Sequence, residues 1–253
     1  MSDHLNFSGR SALVTGAASG IGKACAIWLA EHGIERLWLV DRDSNGLDAL
    51  EFDCAVERRL GSVADPALWG SLEAEMETLD HAVVNAGIGT GGMLSELDLS
   101  EWRKVMDVNL DGAFLTLRAA LRKMLAAKGG SIVVTASVTG LKAVPGVGGY
   151  GISKAAVAHM ARIAAAENAA HGIRVNAVAP GGVDTAIWDS GAQFRKAAAE
   201  HGRQAAIRAL AKDTPRGEFA TPEEIADTVG FLLSDMASNI TGTVLTSDGG
   251  YTL

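Results

Sequence analysis

The sequence predicts a doubly wound α/β fold, a mainly parallel sheet with helices on both faces, built as one domain over residues 1–253. Short apolar runs alternate with helical stretches from one end of the chain to the other. The runs are apolar at successive positions, as in strands buried on both faces of a parallel sheet. No linker, internal repeat or low-complexity tract divides them.

Taken in order, Ala12-Leu13-Val14 is the first strand candidate, Ile21 to Ala30 the first helix, and Leu37-Trp38-Leu39-Val40 the second strand. This β-α-β opening is followed by strand candidates at Ala82-Val83-Val84, Ile132-Val133-Val134, Val175-Asn176-Ala177-Val178 and Val244-Leu245. Helical segments near 66–77, 101–127, 151–170 and 222–234 separate them, the pattern of repeated crossover connections.

Composition narrows the function classes. Hydrophobic residues make up 48% of the chain, enough for a substantial core, and 30 acidic against 22 basic residues leave a formal charge of −8. That balance argues against a nucleic-acid surface, which needs clustered Lys and Arg. The opening Met1-Ser2-Asp3-His4 shows no basic and apolar leader, and no apolar stretch reaches the roughly 20 residues of a membrane span, so a cytoplasmic location without membrane insertion is expected. Cys25 and Cys54 make no disulfide framework and are read as reduced thiols. No His/Cys/Asp cluster has metal-ligand spacing, so no metal is expected.

Thr15-Gly16-Ala17-Ala18-Ser19-Gly20-Ile21-Gly22 lies where the first strand hands over to the first helix. Glycines there permit a tight turn, close backbone approach to a pyrophosphate and close helix packing, while the helix N-terminus offers free N–H groups to phosphate. Asp41 ends the second strand about 20 residues on, where a carboxylate accepts hydrogen bonds from an adenosine ribose and repels a 2′-phosphate. Arg42 follows, yet the turn itself carries no basic partner for such a phosphate. The expected cofactor is NAD in preference to NADP.

Tyr150 and Lys154 stand four apart at the start of a helical stretch and therefore share a face. A phenol titrates near pH ~10 in water, so work as a base at neutral pH requires a nearby positive charge, from Lys154 or an oxidised nicotinamide ring. Ser137 follows the strand Ile132-Val133-Val134 at its carboxyl end, where doubly wound sheets bind ligands and a hydroxyl can bond a substrate oxygen. Asn109 is a polar residue in an otherwise apolar part of a long helix; it is either functional or a satisfied packing amide.

Thr15 to Gly22, Asn85-Ala86-Gly87, Asn109, Ser137, Tyr150-x-x-x-Lys154 and Pro180-Gly181, with Thr241-Gly242 and Asp248-Gly249-Gly250 late in the chain, together resemble the short-chain dehydrogenase/reductase family over nearly the whole length. The resemblance implies a Rossmann-type domain with a seven-stranded sheet, and hydride exchange between a nicotinamide and an alcohol/ketone pair. It implies that Tyr150 donates or accepts the hydroxyl proton, Ser137 orients and polarises the carbonyl oxygen, Lys154 holds the nicotinamide ribose and lowers the Tyr150 pKa, and Asn109 anchors a water on the proton path. It further implies cofactor contacts from Gly16, Ser19, Gly20, Ile21, Gly22, Asp41, Arg42, Ser62, Val63, Asn85, Ala86, Gly87, Tyr150, Lys154, Pro180, Gly181, Val183 and Thr185, the last holding the carboxamide. The chain departs from the family pattern at Val84, where a second Asn is common, and at Ser62, where an Asp commonly meets the adenine amine.

Residues 186–216 follow Thr185 and are expected to form a mobile lid over a small-molecule alcohol or ketone. Trp188 and Phe194 in this stretch suggest a cyclic or otherwise apolar substrate, whereas its Lys and Arg residues would suit an acyl thioester. The rival reading of the stretch is an ordinary amphipathic surface helix. The helix after Tyr150 is apolar nearly all round and rich in alanine, which predicts association with other subunits; the resemblance implies a homotetramer. Competing functions are a 3-oxoacyl thioester reductase, disfavoured by Asp41, a dehydratase or epimerase that keeps NAD bound, and a non-catalytic NAD(H) sensor, which would be expected to lose Ser137 or Tyr150.

Overall fold

The computed structural model describes residues 5–253, so the opening Met1-Ser2-Asp3-His4 lies outside the described residues. Among the described residues one parallel sheet of seven strands runs in the order β3-β2-β1-β4-β5-β6-β7. The strands are β1 (Ser11–Thr15), β2 (Arg36–Asp41), β3 (Ala55–Leu60), β4 (His81–Val84), β5 (Gly130–Thr135), β6 (Ile173–Pro180) and β7 (Val244–Ser247). The helices between them are α1 (Gly20–Glu31), α2 (Ser44–Asp48), α3 (Pro66–Glu75), α4 (Leu99–Met106), α5 (Gly112–Ala127), α6 (Gly148–Asn168), α7 (Ala192–His201), α8 (Arg203–Ala211) and α9 (Pro222–Leu233).

Alternation along each strand explains why the runs read as apolar throughout. Ala12 and Val14 point into the layer holding Trp28, Leu29, Ile225 and Val229 of α1 and α9. Leu13 points into the opposite layer, with Trp69, Leu117, Ala120, Val157 and Ala161 of α3, α5 and α6. The same split places Val83 and Val133 on the first side and Ala82, Val84, Ile132 and Val134 on the second. The residues of these central strands therefore bury their side chains whichever way they point.

Apolar runs alone do not reveal β3. Its central residues Glu57, Arg58 and Arg59 are charged, and it lies at the sheet edge beside β2. Glu57 pairs with Arg36 at 3.6 Å and Arg59 at 3.5 Å, and the Arg59 guanidinium lies 5.6 Å from the Trp38 ring centre. Charges of this kind discourage edge-to-edge association, so edge strands carry them at the expense of the buried-strand signal.

The strand order reverses between β1 and β4, which places the functional crevice at their carboxyl ends. Thr15 locks the edges of that crevice: its Oγ1 accepts from the main-chain N–H groups of Asn85 at 3.0 Å and Ala86 at 3.2 Å. Val84, the departure from the family pattern, is buried in the α3/α5/α6 layer. The β1–β4 junction is thus held by Thr15 and Asn85 with an apolar side chain at residue 84.

Candidate active site

Turn geometry accounts for the glycines between β1 and α1. Gly16 adopts φ +68, and a Cβ there would fall 2.9 Å from Asn85 Nδ2 and 3.0 Å from Ala86 Cα. A Cβ on Gly22 would meet the Gly16 carbonyl oxygen at 2.1 Å, so this crossing accepts no side chain. Ser19 is the extended N-cap of α1, and its hydroxyl caps none of the helix N–H groups. The first turn of α1 therefore keeps unsatisfied donors and the positive end of its dipole toward the crevice. Ile21, next in the turn, packs against the α1/α9 layer.

Asp41 is built into this turn. Its Oδ2 accepts from Ala18 N at 2.9 Å, and its Oδ1 accepts from Arg42 N at 2.7 Å and Asp43 N at 3.1 Å. The carboxylate thus holds the Gly-rich turn in place while staying beside it, and the Arg42 side chain is exposed to solvent. Ser62 and Val63 follow β3, whose end is tied to this region by Gly61 N donating to Asp41 O at 2.9 Å. The Ser62 hydroxyl oxygen accepts from Ala64 N at 3.3 Å, and the Val63 side chain is buried against Gly112, so any ligand contact by Val63 falls to its main chain.

On the other side of the crevice Asn85 Nδ2 donates to Thr15 O at 3.1 Å, bracing β1 against the segment Asn85-Ala86-Gly87. Ser137 follows β5 in extended conformation and its hydroxyl oxygen accepts from Thr139 N at 3.2 Å and Thr139 Oγ1 at 3.0 Å. Tyr150 lies in the first turn of α6. Burial raises its pKa, and the Ser137 hydroxyl beside it pulls the other way. Lys154 is buried one turn on, with Nζ donating to Thr135 O at 2.7 Å and standing 5.8 Å from the Tyr150 ring centre. Burial pushes the Lys154 ammonium down to about 8. The Lys154 charge does not reverse the upward shift of Tyr150, so in the protein alone the phenol holds its proton.

Asn109 sits in a π-helical turn, Asp107–Asp111, that interrupts the long helix between α4 and α5. Its Oδ1 accepts from Ile88 N at 2.8 Å, and its Nδ2 donates to Ile88 O at 3.0 Å and Ser153 Oγ at 3.1 Å. Ser153 Oγ in turn donates to Tyr150 O at 2.7 Å. The side chain is therefore a satisfied amide that ties the loop after β4 to the first turn of α6. π-turns of this sort recur at functional sites, where the added residue redirects a side chain inward.

Beyond β6, Gly181 N donates to Ser247 O at 3.0 Å, and a Cβ on Gly181 would lie 2.9 Å from Asp248 Cα, so Pro180-Gly181 runs flush against the end of β7. Val183 is buried in the α1/α9 layer and makes an isolated parallel bridge to Ala220. Thr185 follows in extended conformation, with its methyl carbon 3.1 Å from where a Gly20 Cβ would be. This places Thr185 directly over the N-terminus of α1.

The stretch from 186 to 216 contains α7 and α8 and has a small core of its own. Phe194, Ala206 and Ile207 are buried together, with Trp188 and Phe219 against them. Trp188 stacks on Phe219 at 5.2 Å between ring centres and donates from Nε1 to Val183 O at 2.8 Å. Trp188 and Phe194 therefore pack within this substructure, and their presence in the sequence is explained by its core.

Spacing alone does not reveal the anchors around these residues. Thr135 O and Thr139 hold Lys154 and Ser137, and Arg203 of α8 binds Asp184 and, at 3.0 Å, Thr185 O. The signal available for the last was an Asp immediately before Thr185 and an Arg within the following insertion. Among the described residues no group of three or more His, Cys, Asp and Glu is placed to hold a metal ion, and no helix is long and apolar enough to cross a membrane. The glycine cradle that a Cβ would fill, the uncapped α1 terminus, Asp41 and the Lys154 ammonium are together the donor and acceptor set that a nicotinamide dinucleotide requires.

Comparison with known proteins finds relatives along nearly the whole chain. A family model described as enoyl-(acyl carrier protein) reductase matches residues 16–252. The chain is 39% identical to a cis-4-hydroxycyclohexanecarboxylate dehydrogenase of Sinomonas cyclohexanicum, covering 97% of this chain and 98% of that one. It is 36% identical to a cyclohexanol dehydrogenase of Acinetobacter sp., covering 97% and 96%. Among solved structures, a short-chain type dehydrogenase/reductase from Mycobacterium marinum superposes with a TM-score of 0.87 at 33% identity, covering 99% of this chain and 98% of that chain.

Proposed function

The chain belongs to the short-chain dehydrogenase/reductase family, and from that premise we propose that it interconverts a cyclic secondary alcohol and its ketone, using NAD(H) in preference to NADP(H). The observation that carries this reading is the convergence of Ser137, Tyr150 and Lys154 with the Gly-rich turn on one crevice. Two relatives named for cyclohexane alcohols support the substrate class.

When bound, the nicotinamide supplies or accepts the hydride at carbon. The residues of the chain manage the oxygen. In the reductive direction the neutral Tyr150 phenol protonates the carbonyl oxygen, while Ser137, held by Thr139, donates a hydrogen bond to it. In the oxidative direction Tyr150 takes the hydroxyl proton, assisted by the buried Lys154 charge and the positive charge of the oxidised ring. Asn109 braces Tyr150 through Ser153, and Lys154 donates to the nicotinamide ribose. The turn from Gly16 through Ser19, Gly20, Ile21 and Gly22 takes the pyrophosphate, Asp41 the adenosine ribose, and Thr185 with Pro180, Gly181 and Val183 the nicotinamide end. Arg42, Ser62, Val63 and Asn85-Ala86-Gly87 flank the adenosine half.

Residues 1–253 act as one dinucleotide-binding domain with 186–216 as its lid. Exposed Phe114 and Leu125 on α5 and Ile152 and Ile163 on α6 support a homo-oligomer, a tetramer by family pattern. The free thiols of Cys25 and Cys54 fit the cytoplasm. Nicotinamide absorbance recorded with NAD and NADP separately, against cyclic, aryl and 3-hydroxyacyl alcohols, tests the reading. NAD-linked oxidation of a cyclic secondary alcohol is expected. Turnover confined to NADPH and 3-oxoacyl thioesters would transfer the site to the acyl reductase reading, and tight NADH binding without turnover on any class would transfer it to a sensor.

A further inference from the structure

Arg203 is placed as more than a surface cation. From the first turn of α8 it pairs with Asp184, donates to Thr185 O at 3.0 Å, approaches Asp189 at 3.7 Å and lies 5.9 Å from the Phe194 ring centre within the lid core. Asp184 and Thr185 are the last residues before the lid begins. One guanidinium therefore fastens the lid to the strand-end segment that covers the N-terminus of α1.

The charges around it make this fastening selective. A cavity of about 420 Å³ is shared by Ser19 and Gly20 of the α1 terminus, Lys23, Asp184, Thr185 and Arg203. Glu223 also lines it, so the formal charges are two cations, Lys23 and Arg203, against two carboxylates, Asp184 and Glu223. Removal of Arg203 from this set leaves a net negative charge beside a helix terminus suited to phosphate. A carboxylate there opposes a pyrophosphate.

We infer that Arg203 is a positioning residue that couples lid docking to cofactor retention, an inference that rests on the proposed dinucleotide site. With the lid docked, Arg203 cancels Asp184 and holds Thr185 over α1. With the lid lifted, Asp184 and Glu223 outweigh Lys23 beside the proposed pyrophosphate site, and the excess negative charge speeds release of the cofactor. The Asp184–Arg203 pair is thus an electrostatic latch whose open state expels the dinucleotide.

A charge latch and a merely structural ion pair predict opposite results for Asp184. If the pair only held the lid in shape, Asp184→Asn and Arg203→Ala would weaken cofactor binding alike. As a latch, Arg203→Ala accelerates NADH release by about tenfold because Asp184 keeps only the neutral Gln204 amide, at 3.3 Å, and its charge has no cation paired with it. Asp184→Asn leaves release unchanged or slower, and the double variant returns to within about twofold of wild type, the non-additivity expected of coupled residues. Stopped-flow NADH fluorescence on the full-length protein reads these rates without turnover. Arg203→Lys, which keeps the charge and loses the fork, is expected between wild type and Arg203→Ala and serves if Arg203→Ala fails to fold. Equal acceleration by Asp184→Asn and Arg203→Ala, or no change in any variant, would overturn the latch while leaving the cofactor site standing. Failure of the wild type to bind NADH would overturn the site and the latch together.

Discussion

Tyr150 and Lys154 are shifted by one cause, removal from water, which favours the neutral form of each. In the proposed mechanism a neutral phenol is an acid ready for use, and Lys154 together with the oxidised cofactor supplies the positive charge it needs to act as a base. Burial acts elsewhere with no catalytic purpose. His81 in β4 is buried with both ring nitrogens unpartnered and its edge against Phe7 at 4.9 Å, and burial lowers its pKa to about 3. The unfolded chain takes up a proton near the ordinary value of 6.5 and the folded chain does not until about 3, so stability falls as pH drops through that window. Replacement His81→Leu is expected to flatten the fall, and thermal unfolding followed from neutral to acid pH reads it; an equally steep fall would remove His81 as the cause. At Asp41 the charge and the hydrogen bonds separate. Asp41→Asn keeps an acceptor for Ala18 N and is expected to narrow the NADH preference about tenfold, since a charge-assisted bond is worth about 1.5–3 kcal/mol. An unchanged ratio of NADH to NADPH affinity would deny Asp41 its selective role.

At the scale of elements, the site is a set of chain ends held by other chain ends. The turn before α1 is fixed by Thr15, Asn85 and Asp41, and Gly22 crosses Gly16 with no room for a methyl group. Gly22→Ala is expected to weaken NADH binding at least about fivefold by forcing the backbone apart, at the 1–3 kcal/mol typical of overpacking. Wild-type affinity by fluorescence titration would show that the turn does not cradle the cofactor. Apolar periodicity located β1, β2, β4, β5 and β6 because most of their side chains are buried on both faces, and β7 through its apolar pair Val244-Leu245, although that strand is only half-buried. It passed over β3, where Glu57, Arg58 and Arg59 answer to an exposed edge instead of a core. The long helix expected over 101–127 is interrupted at Asp107–Asp111, a break with no glycine or proline inside it to announce it. Trp188 and Phe194 show the reverse hazard: aromatic residues in an insertion beside a site pack against the insertion itself.

Across the molecule, the turn glycines, Asp41 and the Tyr150/Lys154 pair were legible because each is tied to a fixed distance along one strand-to-helix junction. The anchors Thr135 and Ser153 and the pair Asp184–Arg203 were not, because they meet only once strands and insertions are folded together, while Thr139, two residues from Ser137, carries no spacing that marks it. The proposed assembly follows the same logic of faces. Phe114 is 48% exposed and Ile163 47% exposed, apolar side chains of α5 and α6 that the proposed homo-oligomer would cover. Phe114→Glu with Ile163→Glu is expected to lower the mass measured by light scattering, and an unchanged mass would place the interface elsewhere. In the proposed mechanism Tyr150 moves the proton while the rest of the crevice binds the cofactor. The most direct test of this is Tyr150→Phe, compared with wild type for NAD-linked oxidation of cyclohexanol and for NADH binding by fluorescence. Loss of turnover by at least about a hundredfold, the range of general acid–base catalysis, with NADH affinity retained is the predicted result; turnover near the wild-type rate would contradict the account.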